Sequence, residues 1–439
     1  MTAEEAARVL RARLSAGQVH TSGPGYDSAA AVWNGAVAAR PAVVVECRST
    51  ADVQAAVRAA RELGLPLSVR SGGHDWAGRA VADGGITLDL RPMNRVVVDA
   101  GRRAAVVGGG ALVNDVLAAA EPHGLIAASG TIGSVGFAGL SLGGGYGPFA
   151  GKFGLAADNL LGAEIVLADG EVVLANASRL PDLWWALRGG GGNFGVVTSL
   201  GLRLHEAPQI TTGPVWYPIA DAARVFAEVA EIQASAPDEL TVQTGVLATP
   251  DGALCVLVWP TWCGAADPDG FLARLGTPLA AQIAPVSSYA AEIAGRDAMF
   301  PAGRSVTIRT RSLPAFTPAV VEVLAAQAET RTSPLSGLSI HHFHGRAARV
   351  SPTDTPFPLR EDHLMVEVLG LGEGNDDRVW ADATSAALAA HALPGGYANL
   401  LGTDVPEQST DAFGHNASRL RDIKHRYDPD GVFHAIPLA

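Results

Sequence analysis

The strongest candidate for a chemically active residue in this sequence is a histidine at the tip of a glycine-rich loop. His74 lies in the segment 70–78, which reads RSGGHDWAG and directly follows the apolar run 65–69. Paired glycines after a strand let the backbone approach an anionic group closely, and they place the next residue for chemistry rather than in a core. A loop histidine that only hydrogen-bonds to the backbone is the alternative that this motif alone leaves open.

Two further glycine-rich segments accompany this loop. They read SGTIGSVGFAG over residues 129–139 and GGGYG over residues 143–147. Each offers backbone N–H groups with no side chain in front of them, so the three segments together could hold a diphosphate and a flat heterocycle without relying on Lys or Arg. Turn glycines of a β-rich domain are the alternative, although turns do not easily explain three clusters with Ser and Thr between them.

Two familiar nucleotide-binding motifs are excluded by their context. The segment 190–195 matches G-x-G-x-x-G, but a predicted helix at 183–188 precedes it, and no acidic residue ends a second strand about 20 residues later. Gly151-Lys152 resembles the end of a phosphate loop, but Tyr146 and Phe153 occupy the required glycine and hydroxyl positions. The sequence also lacks HExxH and CxxC, which argues against a metal site.

The composition indicates a globular chain of more than one domain. The 439 residues are 48% hydrophobic and 17% charged, and the net charge is −12 without a long Lys or Arg block. These values disfavour disorder, nucleic acid and anionic membrane surfaces as explanations. No apolar run reaches the ~20 residues that span a bilayer, and the N-terminus resembles an amphipathic helix rather than a signal peptide. We therefore expect a cytoplasmic protein in which Cys47, Cys255 and Cys263 are buried thiols.

The order of strand and helix patterns predicts an α+β fold. In the first part, strands are predicted at 42–46, 67–70, 86–90, 95–99 and 104–108, helices at 51–63 and 114–123, and a tight Asp169-Gly170 turn between strands at 164–167 and 171–174. From 206 to about 395, runs at 240–246, 254–259, 338–344 and 364–369 predict an antiparallel sheet, with helices at 319–330 and 378–392 on one face. The other face of that sheet is free to border a ligand.

Four ordered motifs resemble those of the vanillyl-alcohol-oxidase-type flavoproteins, specifically the berberine-bridge-enzyme-like branch with a PCMH-type FAD-binding domain. They are RSGGH at 70–74, GGGYG at 143–147 with KFGLAADN at 152–159, RGGGGNFGVV at 188–197, and a C-terminal group of Arg419-Leu420, Lys424 and YDPDGVF at 427–433. The resemblance covers nearly the whole chain. It implies an FAD-binding domain at 1–205, a substrate-binding domain at 206–395, and a C-terminal segment at 396–439 that returns to the FAD domain.

The resemblance also implies FAD that is joined covalently from the His74 ring to the flavin 8-methyl carbon. Such a bond withdraws electron density from the flavin and should raise its reduction potential. The other FAD contacts that the matching motifs imply are Arg70, Ser71, Gly72, Gly73, Gly78, Ser129, Gly130, Thr131, Gly133, Ser134, Gly136, Gly139, Gly143, Val197 and Asn416.

The sequence departs from the family pattern at two positions. Many relatives carry a second flavin link from a cysteine in the 129–136 loop, but this chain has Ile132 there, so a single link through His74 is expected. Many relatives also place a catalytic tyrosine just before the Phe/Tyr-Gly of the C-terminal segment, where this chain has Ala412. Another group must therefore take the proton, or the substrate must need no strong base.

Three residues on the predicted substrate sheet are the candidates for catalysis: His342, Glu367 and His341. The histidines lie on one strand, where alternation places His342 and His344 on one face and His341 on the other. A histidine or a carboxylate there could accept a proton from an oxidised alcohol or amine carbon centre. Strand histidines are often only hydrogen-bonded core residues, which is the alternative.

The resemblance implies an oxidase that moves a hydride from a small organic substrate, of natural-product type, to the flavin, with O2 as the re-oxidant. Arg309 and Arg311 share a strand face and could hold an anionic or carbonyl-rich substrate, or they could form a solvated edge. A sugar or amine oxidase on the same scaffold is one alternative, and a flavin-bearing protein that binds a ligand or shapes a cyclisation without net redox change is another. The low charge and the missing secretion signal would suit bacterial secondary metabolism; the sequence leaves the oligomeric state open.

Overall fold

Three main sheets and their connecting helices make up the fold of the computed structural model, which describes residues 2–249, 252–372 and 375–438. The strands of the first half are β1 (Val19–His20), β2 (Val43–Glu46), β3 (Leu67–Arg70), β4 (Ile86–Asp89), β5 (Val96–Asp99), β6 (Ala104–Gly108), β7 (Leu125–Ile126), β8 (Leu160–Val166), β9 (Val172–Ala175), β10 (Val196–Arg203) and β11 (His205–Glu206). Its helices are α1 (Ala3–Arg11), α2 (Pro24–Ala30), α3 (Thr50–Leu63), α4 (Val113–Ala120), α5 (Phe137–Leu142), α6 (Ala150–Phe153) and α7 (Pro181–Leu187).

The first sheet places the His74 loop. Its strand order is β1-β2-β4-β3, and β2, β4 and β3 are parallel, so the connection from β2 to β3 requires a crossover helix. That helix is α3, which the Ser49 side chain caps and which ends at Gly64 with a φ of 62°. Because β3 ends at Arg70, the next loop leaves from the carboxyl edge of the parallel strands, where open α/β sheets bind ligands.

The second sheet has the order β5-β6-β10-β8-β9 and is antiparallel throughout. The predicted turn between β8 and β9 is present: the N–H of Gly170 donates to the carbonyl of Leu167, and Gly170 has a φ of 78°. The segment 190–195 lies between α7 and β10, which agrees with the prediction that a helix rather than a strand precedes it.

A large antiparallel sheet forms the second half, with the central order β13-β15-β14-β19-β20-β18. Its strands are β12 (Ile210–Thr212), β13 (Val215–Pro218), β14 (Leu240–Ala248), β15 (Leu254–Cys263), β16 (Ala280–Ala281), β17 (Ala284–Val286), β18 (Val306–Leu313), β19 (Gly337–Phe343) and β20 (His363–Leu371). The helices are α8 (Ala222–Ala234), α9 (Pro268–Leu275), α10 (Tyr289–Asp297), α11 (Pro318–Glu329), α12 (Asn375–Leu388), α13 (Pro406–Asp411) and α14 (Ala417–Tyr427).

One face of the large sheet is buried under helices. Alternate residues such as Val242, Ile340 and Val366 pack against Phe226 of α8 and Leu324 of α11 in one apolar cluster. The opposite face therefore carries the other half of each strand's side chains toward the first half of the chain. The α+β class and the helix-covered antiparallel sheet that the sequence predicted are both confirmed.

The C-terminal helix α14 packs against α7 of the first half, with Leu420 and Ile423 buried. Within this helix, the Nζ of Lys424 donates to the carbonyls of Asn193 (2.8 Å) and Phe433 (2.6 Å), which holds Phe433 beside the segment 190–195. Among the helices of the described residues, none has the length and apolar character that a bilayer-crossing helix requires.

Candidate active site

A cavity of about 400 Å³ lies where the glycine loops meet the uncovered face of the large sheet. This volume is within the range that small-molecule and cofactor sites occupy. Its wall from the first half includes three sets of loop residues from separate parts of the chain, namely Ser71, Gly72, Gly73 and His74; Gly130, Thr131, Gly136 and Gly139; and Gly191, Gly192 and Gly195. The sheet contributes Gln243, Trp259, Ser339, His341, Met365, Glu367 and Leu369.

Glycine is required where the first two loops touch. A Cβ on Gly72 would overlap the amide nitrogen of Gly136, and a Cβ on Gly136 would overlap the amide nitrogen of Gly72. Gly73 also has a φ of 75°, which disfavours side chains. The backbones therefore meet directly and leave their N–H groups close together at the cavity wall.

Polar atoms without partners lie at the same place. The Oγ of Ser71 is buried and has no hydrogen-bond partner among the described residues. Nε and Nη1 of Arg70 also lack a hydrogen bond, although Nη1 lies 4.0 Å from the Asp89 carboxylate. Arg70 lies beneath Gly73, where burial lowers its pKa to about 10, so it stays cationic at neutral pH. An unpaired buried hydroxyl beside glycine backbone fits an anionic group such as a diphosphate.

His74 faces the cavity as a neutral ring. Its imidazole stacks on the indole of Trp33, with centroids 5.4 Å apart and planes 18° from parallel. Burial lowers its pKa to about 4, while Asp297 opposes the shift and Arg70 adds to it. No hydrogen bond joins His74 to another side chain or to backbone within 2–249, 252–372 and 375–438, so a ring nitrogen is available for bonding at neutral pH.

A histidine and a glutamate project together from the sheet face on the other side of the cavity. Nε2 of His341 lies 3.2 Å from Oε1 of Glu367, and the two side chains are 11% and 19% exposed. Their positions follow from the register of β19 and β20, in which Ser339 is opposite Glu367 and His341 is opposite Met365. The pair is therefore diagonal on one sheet face, within reach of long side chains.

Tyr397 adds a phenol to this cavity. Its oxygen accepts hydrogen bonds from the N–H of Gly145 (3.0 Å) and from Nδ2 of Asn399 (3.1 Å). With both lone pairs of the oxygen used, its O–H is left to donate. Burial, as the largest cause, raises the pKa of Tyr397 to about 12, so the O–H is retained at neutral pH.

One part of the cavity wall is aromatic and cationic. The guanidinium of Arg296 lies 4.2 Å from the ring centroid of Trp259 and 3.4 Å from Glu292. The next residue, Asp297, accepts a hydrogen bond from the N–H of Gly133 at 2.8 Å, which ties α10 to the 129–139 loop. This part of the wall presents a flat aromatic surface with a partly compensated positive charge.

The structure brings together only some of the residues that the sequence singled out. Glu367, His341 and His74 line the cavity, whereas His342 lies on the opposite sheet face, stacked on His344 with centroids 4.0 Å apart. Burial lowers the pKa of His342 well below its usual value. Strand alternation explains this placement, because neighbouring residues of one strand face opposite sides.

Among the FAD contacts implied by the motifs, seven are not part of the cavity wall: Arg70, Gly78, Ser129, Gly133, Ser134, Gly143 and Asn416. Asn416 instead donates to the carbonyls of Pro352 (2.7 Å) and Thr355 (3.2 Å) and so holds the 352–356 loop. A Cβ on Gly143 would overlap the Asn399 side chain, so this glycine is needed for packing against the C-terminal segment.

Arg309 and Arg311 do not border the cavity either. Arg309 is 4% exposed and pairs with Asp382 (2.6 Å) and Asp404 (2.8 Å), and Arg311 donates to the carbonyl of Ser385. Both expected roles, a substrate contact and a solvated edge, are wrong for Arg309, because this guanidinium is buried between two carboxylates.

Sequence reasoning missed Trp33, Tyr397 and Arg296, which all line the cavity. They come from distant parts of the chain that carry no glycine motif, and only their packing places them here. Ala412, which replaces the family's tyrosine, borders a smaller cavity behind Tyr146 and Tyr397 instead. Ile132, at the position of the second link, does line the main cavity.

Comparison with known proteins gives two family matches. Residues 41–176 match an FAD binding domain, and residues 396–436 match the family described as berberine and berberine like. The structure of 6-hydroxy-D-nicotine oxidase from Arthrobacter nicotinovorans superposes with a TM-score of 0.85 at 30% identity, over 95% of this chain and 96% of that one. The chain belongs to the berberine-bridge-enzyme-like family of FAD-linked oxidoreductases.

Other relatives of this berberine-bridge-enzyme-like oxidoreductase vary in coverage. The FAD-linked oxidoreductase aurO of Gibberella zeae is 29% identical over 94% of this chain and 84% of the relative. (R)-6-hydroxynicotine oxidase of Paenarthrobacter nicotinovorans is 44% identical, but over 44% of this chain and 42% of the relative, which is less than half of either protein. Physcomitrella patens BBE-like 1 superposes with a TM-score of 0.88 over both complete chains at 22% identity, which shows the shared fold alone.

The cradle around Ser71, Gly72 and Gly136 suits the FAD that this family binds. Its buried, unpaired Ser71 hydroxyl and its glycine backbone fit a diphosphate, and the cavity continues from there past His74 to the sheet face. The berberine-bridge-enzyme-like chain is thus an FAD-dependent oxidoreductase, with its cofactor domain in the first half.

Proposed function

We propose that this enzyme oxidises a small organic substrate by hydride transfer to FAD held through one covalent bond from His74, with O2 as the final acceptor. The observation that carries this proposal is the single cavity wall on which the neutral His74 ring, the glycine cradle and the Glu367–His341 pair meet. FAD supplies the two-electron acceptor when it is bound. We also propose that 1–205 and 396–439 form the FAD-binding part and 206–395 the substrate-binding part.

Two features support the single bond. Burial keeps the His74 imidazole neutral, so a ring nitrogen carries the lone pair that a bond to the flavin 8-methyl carbon needs. The loop that would supply a second, cysteine link carries Ile132 at the cavity wall, and Cys47, Cys255 and Cys263 are buried outside that wall.

The Glu367–His341 pair takes the substrate proton in this proposal. Oxidation of an alcohol or amine carbon centre releases one proton with the hydride, and a carboxylate 3.2 Å from an imidazole can accept it and share it with the ring. Tyr397 donates its O–H to the substrate, because its own acceptor sites are already filled by Gly145 and Asn399. His342 takes no part, since it faces the other side of the sheet.

The pocket supports a flat, partly aromatic substrate with an alcohol or amine at the reacting carbon. Trp259, Leu257, Met365 and Leu369 supply apolar area, and Gln243 and Ser339 supply hydrogen bonds near the catalytic pair. A relative named for oxidation of a hydroxynicotine favours an aromatic amine of this kind, whereas one named for oxidation of glucooligosaccharides keeps a sugar as the second candidate. Natural-product alcohols and amines are the first panel to test.

Two measurements test the proposal. Anaerobic mixing with a panel of alcohols, sugars and cyclic amines should bleach the oxidised flavin absorbance with at least one of them, and air should restore it with one H2O2 formed per turnover. Turnover of a substrate without bleaching would instead support a non-redox cyclase. Acid precipitation should leave the yellow colour in the protein pellet, and its release into the supernatant would contradict the covalent bond.

A further inference from the structure

The His74 ring is stacked on one aromatic side chain. Trp33 stacks on it with centroids 5.4 Å apart, and neither ring nitrogen of His74 has a hydrogen-bond partner among the described residues. An imidazole without a polar partner can rotate about its Cβ–Cγ bond, so packing alone must set its plane. The structure assigns that task to the indole of Trp33.

Trp33 is itself held by three hydrogen bonds, two from its backbone and one from its indole. The backbone N–H of Trp33 donates to the carbonyl of Gly73 at 2.9 Å, and its own carbonyl accepts from Gly303 at 2.9 Å. Its Nε1 donates to the carbonyl of Phe300 at 2.9 Å. Trp33 is therefore bound both to the residue before His74 and to the segment that leads into β18.

The residues after Trp33 continue this attachment. Asn34 is 4% exposed, and its Nδ2 donates to the carbonyls of Trp76 (2.6 Å) and Val306 (2.8 Å) while its Oδ1 accepts from the Val306 N–H. The N–H of Gly35 donates to the carbonyl of Arg304, and a Cβ on Gly35 would overlap the Gly303 carbonyl. The segment 33–35 cannot shift without breaking several buried hydrogen bonds, so the indole is a rigid surface.

We propose that Trp33 is a positioning residue for covalent flavin attachment, because its fixed indole orients the His74 imidazole toward the flavin 8-methyl carbon. This inference rests on the proposed single bond through His74. In that reaction a ring nitrogen of His74 bonds to the methyl carbon, the nitrogen and the carbon each lose one hydrogen, and the two electrons released pass to the flavin and then to O2. Trp33 itself makes and breaks no bond.

The test compares three full-length variants with the wild type. Trp33→Leu removes the aromatic face, Trp33→Phe keeps it without the Nε1 hydrogen bond, and Trp216→Leu is a matched control, since Trp216 is also partly buried but lies on β13 outside the cavity wall. Each chain is isolated from flavin-limited cells and saturated with FAD, and the covalent fraction is followed by flavin fluorescence of acid-denatured protein on a gel. Total bound flavin and the melting temperature are measured on the same samples.

We expect attachment to slow about 10-fold in Trp33→Leu at full FAD occupancy, and to stay near the wild-type rate in Trp33→Phe and Trp216→Leu. A merely structural role would lower occupancy or the melting temperature instead of the attachment rate. If Trp33→Leu attaches flavin at the wild-type rate, or if Trp33→Phe is as slow as Trp33→Leu, stacking does not position His74 and the inference is overturned. If Trp33→Leu fails to bind FAD, Trp33→Met takes its place as the variant without an aromatic face. Slower attachment in Trp33→Met than in Trp33→Phe then supports the inference, and equal rates overturn it.

The wild type separates this inference from the proposal on which it rests. If acid releases its flavin, the covalent bond is absent and the role of Trp33 falls with it. If the wild type retains its flavin while Trp33→Leu attaches it equally fast, the bond through His74 stands and only the role of Trp33 is lost.

Discussion

Glu367 and His341 meet across two neighbouring strands, with 3.2 Å between Oε1 and Nε2, on the sheet face that borders the cavity. In the register of β19 and β20, Ser339 lies directly opposite Glu367, and His341 lies two residues further along on the same sheet face. The side chains of Glu367 and His341 therefore meet diagonally. A shift of one residue in either strand would turn one partner toward the helices. The candidate base is thus a property of strand pairing.

Glu367→Gln should slow anaerobic flavin reduction by roughly 10²–10⁴-fold, because an amide cannot take the substrate proton. Rapid-mixing absorbance at saturating substrate measures this rate. Glu322→Gln is the matched control, since Glu322 is exposed on α11 and is not part of the cavity wall. Equal rates in Glu367→Gln and wild type would remove Glu367 from the mechanism.

Tyr397→Phe should lower the free energy of unfolding by about 1–3 kcal/mol, because the buried N–H of Gly145 loses its acceptor. Urea unfolding with matched flavin content checks this value. Tyr217→Phe provides the contrast: this tyrosine is also buried, but its hydroxyl has no partner among the described residues, so its loss should be neutral or stabilising. Similar losses in both variants would contradict the assigned hydrogen bonds.

Stability should fall as the pH drops from about 6.5 toward 4, partly because of His344. Burial lowers its pKa from 6.5 to about 4, so between these values the unfolded chain binds more protons than the folded one. For one such group the loss reaches roughly 2 kcal/mol at pH 5.

The variant His344→Gln isolates this contribution, because an amide can keep the contact with Thr241 and does not titrate. Urea unfolding at pH 7 and pH 5 should show a smaller pH dependence in the variant than in the wild type. An unchanged difference between the two pH values would assign the effect to other groups, such as the buried His363, whose pKa burial also lowers to about 4.

Gly72→Ala should reduce the flavin content of the purified protein by about 10-fold or more, because its Cβ would push the Gly136 backbone away and open the cradle. Protein-bound flavin per chain, measured from absorbance after denaturation, is the readout. Gly17→Ala is the control, since a Cβ there meets no atom within 4 Å. Normal flavin content in Gly72→Ala would show that the loops can separate without loss of the cofactor.

Much of the fold and part of the site could be predicted from local sequence patterns. The helix of Thr50–Leu63, the turn at Asp169-Gly170 and the strands around His341 and Glu367 follow from apolar periodicity and turn chemistry, which are local. The cavity position of His74 and its glycines also followed, because a strand that ends in glycines leaves its loop at the edge of a sheet. His342 was predicted at the site but lies on the other sheet face. The sequence shows which residues of a strand share a face, but not which of the two faces the helices cover.

The sequence by itself determined the α+β class, the glycine loops with His74 at their centre, and the absence of a cysteine at 132 and of a tyrosine at 412. Tertiary structure alone decided that Trp33 stacks on His74, that Tyr397 supplies a phenol to the cavity, and that Arg309 is buried between carboxylates. The reason is physical. Strand and turn signals depend on neighbouring residues, whereas these contacts join residues far apart in the chain, and only the packing of the sheets brings them together.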